Sequence, residues 1–272
     1  METRRFPDGE SYVRILSDVA GRPVDLVCTL ARPDDGFLRL AFAADAARAL
    51  GASEVTLIAP YLAYMRQDRR FQPGEAVTSK TFARVLSSTF DRLVTVDPHL
   101  HRYPALSALY TIPTDTLHAA PLLADWIAAE VDQPLIIGPD GDRNVDVQLP
   151  DLSEWTARCP VLVDDIASSG HTLIEAARQL PLQGFRRPVC AVIHAVFAEE
   201  SYARLRGLTD RIVSSDSIPH ESNAIRLAPL FAATIGSSKE APDNIMRHRR
   251  PPEPGDEVEQ AGMDSFPASD PP

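Results

Sequence analysis

The sequence lacks the features that mark membrane and secreted proteins. It contains no run of about 18 uncharged apolar residues, the length that a membrane-spanning helix needs. The first residues include arginines but are not followed by the apolar stretch of a signal peptide. Cysteines are scarce, and the three present, Cys28, Cys159 and Cys190, are widely spaced in apolar surroundings. This pattern favours reduced core thiols over a disulfide or a zinc site, and we expect a cytoplasmic protein with no membrane partner.

Positive charge is also in short supply. The 272 residues carry a net charge of −11, which argues against nucleic acid as the main partner. The excess of acid is uneven, because residues 237–272 contribute −4 and the rest of the chain contributes −7. An anionic substrate would therefore have to be bound by local basic residues and backbone N–H groups, not by the overall field of the protein.

Short apolar runs alternate with segments of helical periodicity along most of the chain. Strands are predicted at 24–30, 55–59, 93–96, 135–138, 161–163 and 189–194, and helices at 37–50, 79–87, 119–130 and 171–180. Apolar strands that alternate with helices are typical of parallel sheets covered by helices. We therefore predict an α/β protein with two αβ halves, residues 1–115 and 116–236.

Residues 237–272 differ in composition from the rest of the chain. Seven of the 24 prolines lie between Pro242 and Pro272, acidic residues dominate, and apolar periodicity is lost. Such a segment buries too little apolar surface to offset the entropy of ordering its backbone. We expect a disordered acidic tail, which is either inert or carries a docking peptide around Phe266.

The segment from Val161 to Thr172 predicts a phosphate site. It contains an apolar strand, the acidic pair Asp164 and Asp165, and a Ser/Gly loop that opens a helix. Ligands of open α/β sheets bind beyond the carboxyl ends of strands, and helix N-termini offer N–H groups to phosphate. The two carboxylates could accept hydrogen bonds from vicinal ribose hydroxyls. The alternative is that Ser168 only caps the helix and the aspartates are solvated.

Two common motifs of phosphate-binding and hydrolytic enzymes are missing. The chain has no Gly-x-x-x-x-Gly-Lys of a Walker loop and no Gly-x-Ser-x-Gly of a serine-hydrolase elbow. The 161–172 segment instead resembles the phosphoribosyl-pyrophosphate (PRPP) motif of the type I phosphoribosyltransferases. Further stretches narrow the resemblance to the ribose-phosphate pyrophosphokinases, or PRPP synthetases: Arg5–Glu10, Tyr61–Arg69, Val94–His99 and Gly138–Asp140. The resemblance covers roughly residues 4–229 and implies transfer of diphosphate from ATP to the 1-hydroxyl of ribose 5-phosphate, with release of AMP.

The resemblance assigns residues to each substrate. It implies that ribose 5-phosphate is bound by Asp164, Asp165, Ala167, Ser168, Ser169, Gly170 and Thr172. It implies that ATP is bound by Arg66, Gln67 and Asp68, together with Phe6, Asp8 and Glu10 from a neighbouring subunit. The protein would then be a homo-oligomer. Without the resemblance, the Phe6 loop is merely a Pro-Asp-Gly turn and the Arg66 region a solvated basic cluster.

The resemblance also implies Mg²⁺ as the cofactor, with His99 and Asp140 as its ligands. Mg²⁺ prefers oxygen, so a carboxylate and substrate phosphates suit it, whereas histidine is an unusual ligand. An ordinary loop histidine is the alternative at position 99, and His-x-His alone is a weak zinc signal.

Three departures from the family pattern bear on catalysis. The family has a mobile basic loop between its Pro-Asp metal motif and the phosphate-loop strand, but here only Gly141–Pro160 separate these landmarks. Arg143 is the sole Lys or Arg between Asp125 and Arg158, so it is a weak catalytic candidate and the expected lysine is absent. The family also has a strand and a helix before its Phe-Pro-Asp-Gly-Glu motif, so the N-terminus looks short. Ser168 replaces the usual third Asp of the loop.

Three functions follow as hypotheses. The first is a ribose-phosphate diphosphokinase, which makes PRPP and AMP for nucleotide biosynthesis. The second is a related subunit that binds nucleotide or sugar phosphate without turnover, because positioned cations missing from a phosphoryl transition state cost several powers of ten in rate. The third is a phosphoribosyltransferase that consumes PRPP, which the ATP-type stretches near the N-terminus disfavour.

Overall fold

The computed structural model describes residues 1–138 and 149–238. Its first half contains a parallel four-stranded sheet in the order β3-β4-β5-β6, so that neighbouring strands follow one another in the chain. The strands are β3 (Pro23–Val27), β4 (Glu54–Ala59), β5 (Arg92–Val96) and β6 (Thr114–Leu117), with helices α1 (Pro33–Ala49) and α2 (Thr78–Thr89). The predicted boundary at 115/116 lies inside β6, and the division into domains stays a prediction.

The second half contains a parallel five-stranded sheet in the order β11-β10-β9-β8-β7. Its strands are β7 (Pro134–Ile137), β8 (Cys159–Ala167), β9 (Val189–Ala195), β10 (Arg211–Ser215) and β11 (Asn223–Ile225). The helices are α3 (Ala120–Glu130), α4 (His171–Leu182), α5 (Glu199–Leu208) and α6 (Ala228–Ser238). The predicted α/β fold with two parallel sheets is confirmed. No helix within the two described ranges is long and apolar enough to cross a membrane.

Two local predictions, the end of β8 and the start of the tail, need correction, and one hairpin was not predicted. Strand β8 was expected to end at residue 163, but it continues through the acidic pair to Ala167 because its backbone keeps pairing with β9, Asp164 opposite Val192 and Ala167 opposite Ala195. The Phe6 turn joins an antiparallel hairpin, β1 (Glu2–Arg5) and β2 (Ser11–Arg14). Helix α6 includes the first two residues of the predicted tail, and the tail from residue 239 onward lies outside the described residues.

The two halves share a packed boundary. The core of the first half is built around fully buried side chains such as Leu57, Leu86 and Leu93, and it also includes Ile218 from the second half. Ile166 of β8 packs against the same core. The carboxyl ends of β5 and β8 therefore meet across this apolar contact, and polar residues that follow either strand are brought together.

One buried hydroxyl in β5 is unsatisfied. Thr95 is fully buried and its Oγ1 has no hydrogen-bond partner. A buried polar group without a partner is destabilising, and valine has nearly the same shape. We expect Thr95→Val to raise the free energy of unfolding by about 1 kcal/mol, seen as a higher urea midpoint with an unchanged slope.

Thr56→Val is the matched control for this substitution. Thr56 lies on the neighbouring strand β4, but its hydroxyl lies 3.5 Å from the Glu54 carboxylate, so its removal should give no gain. A lower urea midpoint for Thr95→Val than for the parent protein would contradict the assignment of Thr95 as an unpaired buried hydroxyl.

Candidate functional site

The phosphate loop lies between β8 and α4. Gly170 is the residue before the helix and has a left-handed backbone (φ 64°, ψ 13°), a conformation that side-chain-bearing residues adopt only with strain. No side chain caps the N-terminus of α4, so the first N–H groups of this helix point to the loop without a side-chain acceptor. Unpaired N–H groups at a helix N-terminus favour an anion such as phosphate.

The acidic pair stands at the end of β8, in front of this loop. The Asp164 Oδ1 accepts a hydrogen bond of 2.8 Å from the Asp165 backbone N–H. The other carboxylate is bound across the boundary between the halves, because Asp165 Oδ2 lies 3.0 Å from His99 Nδ1. The structure thus brings His99, which follows β5, and the pair at the end of β8 into one site.

The two carboxyls have very different pKa values. Burial, together with the neighbouring Asp165, raises the pKa of Asp164 to about 7. Burial also acts to raise the pKa of Asp165, but hydrogen bonds with His99 and Asp164 outweigh it and lower this pKa to about 2. The Asp165 hydrogen bond in turn raises the pKa of His99. The site therefore holds one firmly ionised carboxylate beside one that titrates near neutrality.

Arg66 supplies positive charge from the first half. Its Nη1 donates a hydrogen bond of 2.8 Å to Ser168 Oγ, which crosses from the ATP-type stretch to the phosphate loop. The backbone carbonyl of Ser168 accepts a 2.7 Å hydrogen bond from Ser201 Oγ at the start of α5. A residue from each half therefore fixes the loop at Ser168, where the family's usual aspartate is replaced.

The two residues that follow Arg66 have hydrogen-bond or ion-pair partners of their own. The Gln67 Oε1 lies 3.4 Å from the Thr78 hydroxyl. The Asp68 side chain is only 5% exposed and pairs with Arg102 at 3.2 Å. These contacts fix the backbone that carries Arg66. The predicted role of Gln67 and Asp68 in ATP binding stays a prediction.

The predicted adenine loop lies at the tip of the β1–β2 hairpin, and residues 1–10 are all exposed. The turn is closed by the Phe6 N–H, which donates to the Glu10 carbonyl, and by the Glu10 N–H, which donates to Asp8 Oδ1 at 3.1 Å. The guanidinium of Arg4 lies over the Phe6 ring at 4.9 Å. Strand β2 packs against α1. In the described residues no hydrogen bond or ring contact joins this loop to Asp165 or Arg66.

The predicted metal ligands can be tested only in part. His99 Nδ1 faces Asp165, an arrangement by which carboxylates orient metal-binding histidines through the other ring nitrogen. Among residues 1–138 and 149–238, no three His, Cys, Asp or Glu side chains converge as a metal site. Asp140 and the weak catalytic candidate Arg143 lie outside the described residues. The predicted roles of His99 and Asp140 as Mg²⁺ ligands therefore stay predictions.

Sequence reasoning missed several residues of this site. Tyr61 and His194 are buried, with their rings in edge-on contact at 5.1 Å. Burial raises the pKa of the Tyr61 phenol, which also senses the charges of Arg66 and Asp165. A lone histidine inside the apolar run of β9 was the available signal for His194. Nothing in the sequence indicated a role for Ser201, because its contact with Ser168 arises only from the packing of α5.

Comparison with known proteins agrees with this geometry. Residues 1–89 match the N-terminal domain of ribose phosphate pyrophosphokinase. A ribose-phosphate pyrophosphokinase of Methanopyrus kandleri is 34% identical over 265 residues, with 86% of this chain and 89% of the relative covered. That of Methanothermobacter thermautotrophicus is 31% identical over 260 residues, with 85% and 90% covered. Both alignments are longer than the part of this chain that they cover, because they contain gaps in this chain. Each relative therefore has internal residues without a counterpart here.

A solved structure shares the fold. The crystal structure of phosphoribosylpyrophosphate synthetase from Mycobacterium smegmatis superposes with a TM-score of 0.77 at 21% identity, and covers 88% of this chain and 90% of that one. On the identity and coverage of its relatives, this chain belongs to the ribose-phosphate pyrophosphokinase family.

Proposed function

We propose that this protein transfers the diphosphate of ATP to the 1-hydroxyl of ribose 5-phosphate, which yields PRPP and AMP. The observation that carries the proposal is the convergence of the two halves on one site. The acidic pair and phosphate loop come from the second half, whereas His99 and Arg66 come from the first. Transfer of a diphosphate requires one site that binds the ribose phosphate and the nucleotide next to each other.

The ribose-phosphate part of the proposal follows from the β8–α4 junction. The 5-phosphate would be bound by the N–H groups of residues 168–172 and by the hydroxyls of Ser169 and Thr172. Gly170 allows the left-handed backbone that turns the loop into α4, because it has no Cβ. The ionised Asp165 would accept hydrogen bonds from the vicinal ribose hydroxyls. Asp164 would bind the same hydroxyls, and its protonation state would change near neutral pH.

The ATP part of the proposal depends on local cations in an acidic protein. Arg66 would exchange its hydrogen bond with Ser168 for bidentate contact with phosphate oxygens. The adenine would be bound by Phe6, Asp8 and Glu10 of a neighbouring subunit, since this hairpin tip is exposed and, in the part of the chain that the structure describes, makes no hydrogen bond with Arg66. When bound through His99 and Asp140, Mg²⁺ would neutralise phosphate charge during the transfer.

A second candidate function is favoured by one specific observation. The family delivers a lysine and an arginine to the transferring diphosphate, whereas the segment between β7 and β8 has no lysine, and Arg143 is its only cation before Arg158. The chain would then bind sugar phosphate and nucleotide but act as a partner of an active homologue. Direct measurement of product separates the two functions.

The test of turnover is a coupled assay for AMP formed from Mg·ATP and ribose 5-phosphate. We expect AMP formation that depends on ribose 5-phosphate, and a loss of about 100-fold in Arg66→Gln because a phosphate-binding charge is removed. Arg69→Gln is the matched control from the same basic stretch, since the Arg69 guanidinium lies over the Phe71 ring, and it should stay within about twofold of the parent.

The outcomes of this assay are distinct. No AMP above background, with both substrates still bound, would exclude the enzyme and favour the non-catalytic subunit. Pyrophosphate released from PRPP in the presence of a free base would instead identify a phosphoribosyltransferase.

The acidic pair predicts a pH-dependent stability. The pKa of Asp164 is raised from 3.8 to about 7 by burial, so its contribution is fully present below pH 3.8 and is lost as pH rises through about 7. Asparagine does not ionise, so Asp164→Asn does not lose stability as the pH rises, and its amide oxygen still accepts from the Asp165 N–H. We therefore expect the unfolding free energy of Asp164→Asn, relative to the parent, to increase between about pH 5 and pH 7.5 in urea titrations.

Asp151→Asn serves as the control. The pKa of the exposed Asp151 is lowered by hydrogen bonds from Ser153, so its stability contribution changes only below pH 3.8. The difference between Asp151→Asn and the parent should therefore stay constant over the same range. A constant difference for Asp164→Asn as well would show that Asp164 does not titrate near neutrality.

A further inference from the structure

His194 connects the two halves next to the proposed substrate site. It is 1% exposed and lies on β9, where its backbone pairs with Ile166, the residue after Asp165. Its side chain points to the other half, with Nε2 at 3.2 Å from the backbone carbonyls of both Val96 and Asp97. One buried imidazole thus contacts the end of β5 while its own strand borders the acidic pair.

The neighbouring atoms define the protonation of this ring. Because Nε2 faces two carbonyl oxygens, which only accept, Nε2 carries a proton and donates it. Nδ1 lies 2.9 Å from Ser217 Oγ, whose hydroxyl also donates to the Ile193 carbonyl at 3.2 Å. Burial lowers the pKa of His194, so the ring is neutral and its Nδ1 is an acceptor that shares the Ser217 proton with that carbonyl. The Tyr61 ring covers one side of the imidazole. These contacts fix both the orientation and the tautomer of His194.

The backbone that His194 contacts is a turn that contains a residue of positive φ. Asp97 has a positive φ of 33°, a region that residues other than glycine, asparagine and aspartate rarely adopt. The turn is stabilised by the Asp97 N–H, which donates to Leu117, and by the Asp97 carboxylate, which accepts from the Ala119 N–H at 2.8 Å. Two residues later, His99 reaches Asp165. The geometry of this turn therefore decides where His99 stands.

We propose that His194 is a positioning residue of the substrate site: its Nε2–H donor fixes the turn at Val96 and Asp97, and through His99 it fixes the Asp165 carboxylate. This inference rests on the proposed function, in which Asp165 accepts the ribose hydroxyls. In the described residues no side-chain hydrogen bond joins His194 to the loop or to the acidic pair, so its effect is indirect. The alternative is a core histidine that matters only for packing.

Three variants separate the two roles. His194→Leu fills much of the ring's volume but removes the donor, whereas His194→Gln can place an amide N–H close to the original Nε2 position. Thr95→Val is the control: it changes a buried side chain at the end of β5, next to Val96, but it removes no hydrogen bond, since the Thr95 hydroxyl has no partner. Ser217→Ala serves as a milder variant if His194→Leu does not fold, because it keeps the ring and removes the partner of Nδ1 together with the hydrogen bond from Ser217 Oγ to the Ile193 carbonyl.

The first readout is amide hydrogen exchange of the ligand-free protein, measured by mass spectrometry on peptides that cover residues 96–101. We expect exchange of this segment to increase at least about tenfold in His194→Leu and far less in His194→Gln or Thr95→Val. An increase spread evenly over both sheets, or none in this segment, would overturn the positioning role in favour of packing.

The second readout is the affinity for ribose 5-phosphate, measured by titration calorimetry. We expect about a tenfold loss in His194→Leu, with His194→Gln close to the parent, because a misplaced carboxylate binds the hydroxyls poorly. Equal losses in the Leu and Gln variants, or no loss in either, would contradict the inference. If the parent itself does not bind ribose 5-phosphate, the proposed function fails, whereas the exchange experiment still decides whether His194 positions the turn.

Discussion

The hydrogen bond between His99 and Asp165 is the contact on which the site depends. It joins the residue that follows β5 to the residue near the end of β8, at 3.0 Å. Each half alone has only part of the chemistry, since the phosphate loop lies in the second and the basic Arg66 in the first. The apolar boundary that contains Ile166 and Ile218 brings the strand ends together, and the polar contact then sets their alignment.

Under the proposed function, this arrangement would allow an acidic protein to bind two anionic substrates. The overall charge of −11 gives no attraction, so affinity has to come from groups whose direction is fixed. The uncapped N–H groups of α4 and the guanidinium of Arg66 are such groups. The low pKa of Asp165 and the raised pKa of Asp164 reduce the repulsion, because only one of the adjacent carboxyls is firmly ionised at neutral pH.

Much of this could be predicted from the sequence, because the apolar strands and the phosphate loop are contiguous patterns. The Val161–Thr172 segment predicted strand, loop and helix in order, although the paired strand continued past the acidic residues. The β1–β2 hairpin could not be predicted, since β1 is fully exposed and neither four-residue strand has a clear apolar alternation. The role of His194 was equally hidden, because its partners Val96 and Asp97 are 98 and 97 residues away in the chain. Contacts between elements follow from packing, which periodicity does not encode.

The central claim is that ribose 5-phosphate is bound by the acidic pair and loop at the end of β8. Calorimetric titration of ribose 5-phosphate into the parent, Asp165→Asn and the remote control Asp151→Asn tests it most directly. The account predicts binding in the parent and in Asp151→Asn. It predicts a dissociation constant at least about tenfold larger in Asp165→Asn, since a charge-assisted hydrogen bond is lost. Equal affinity in all three proteins would contradict it.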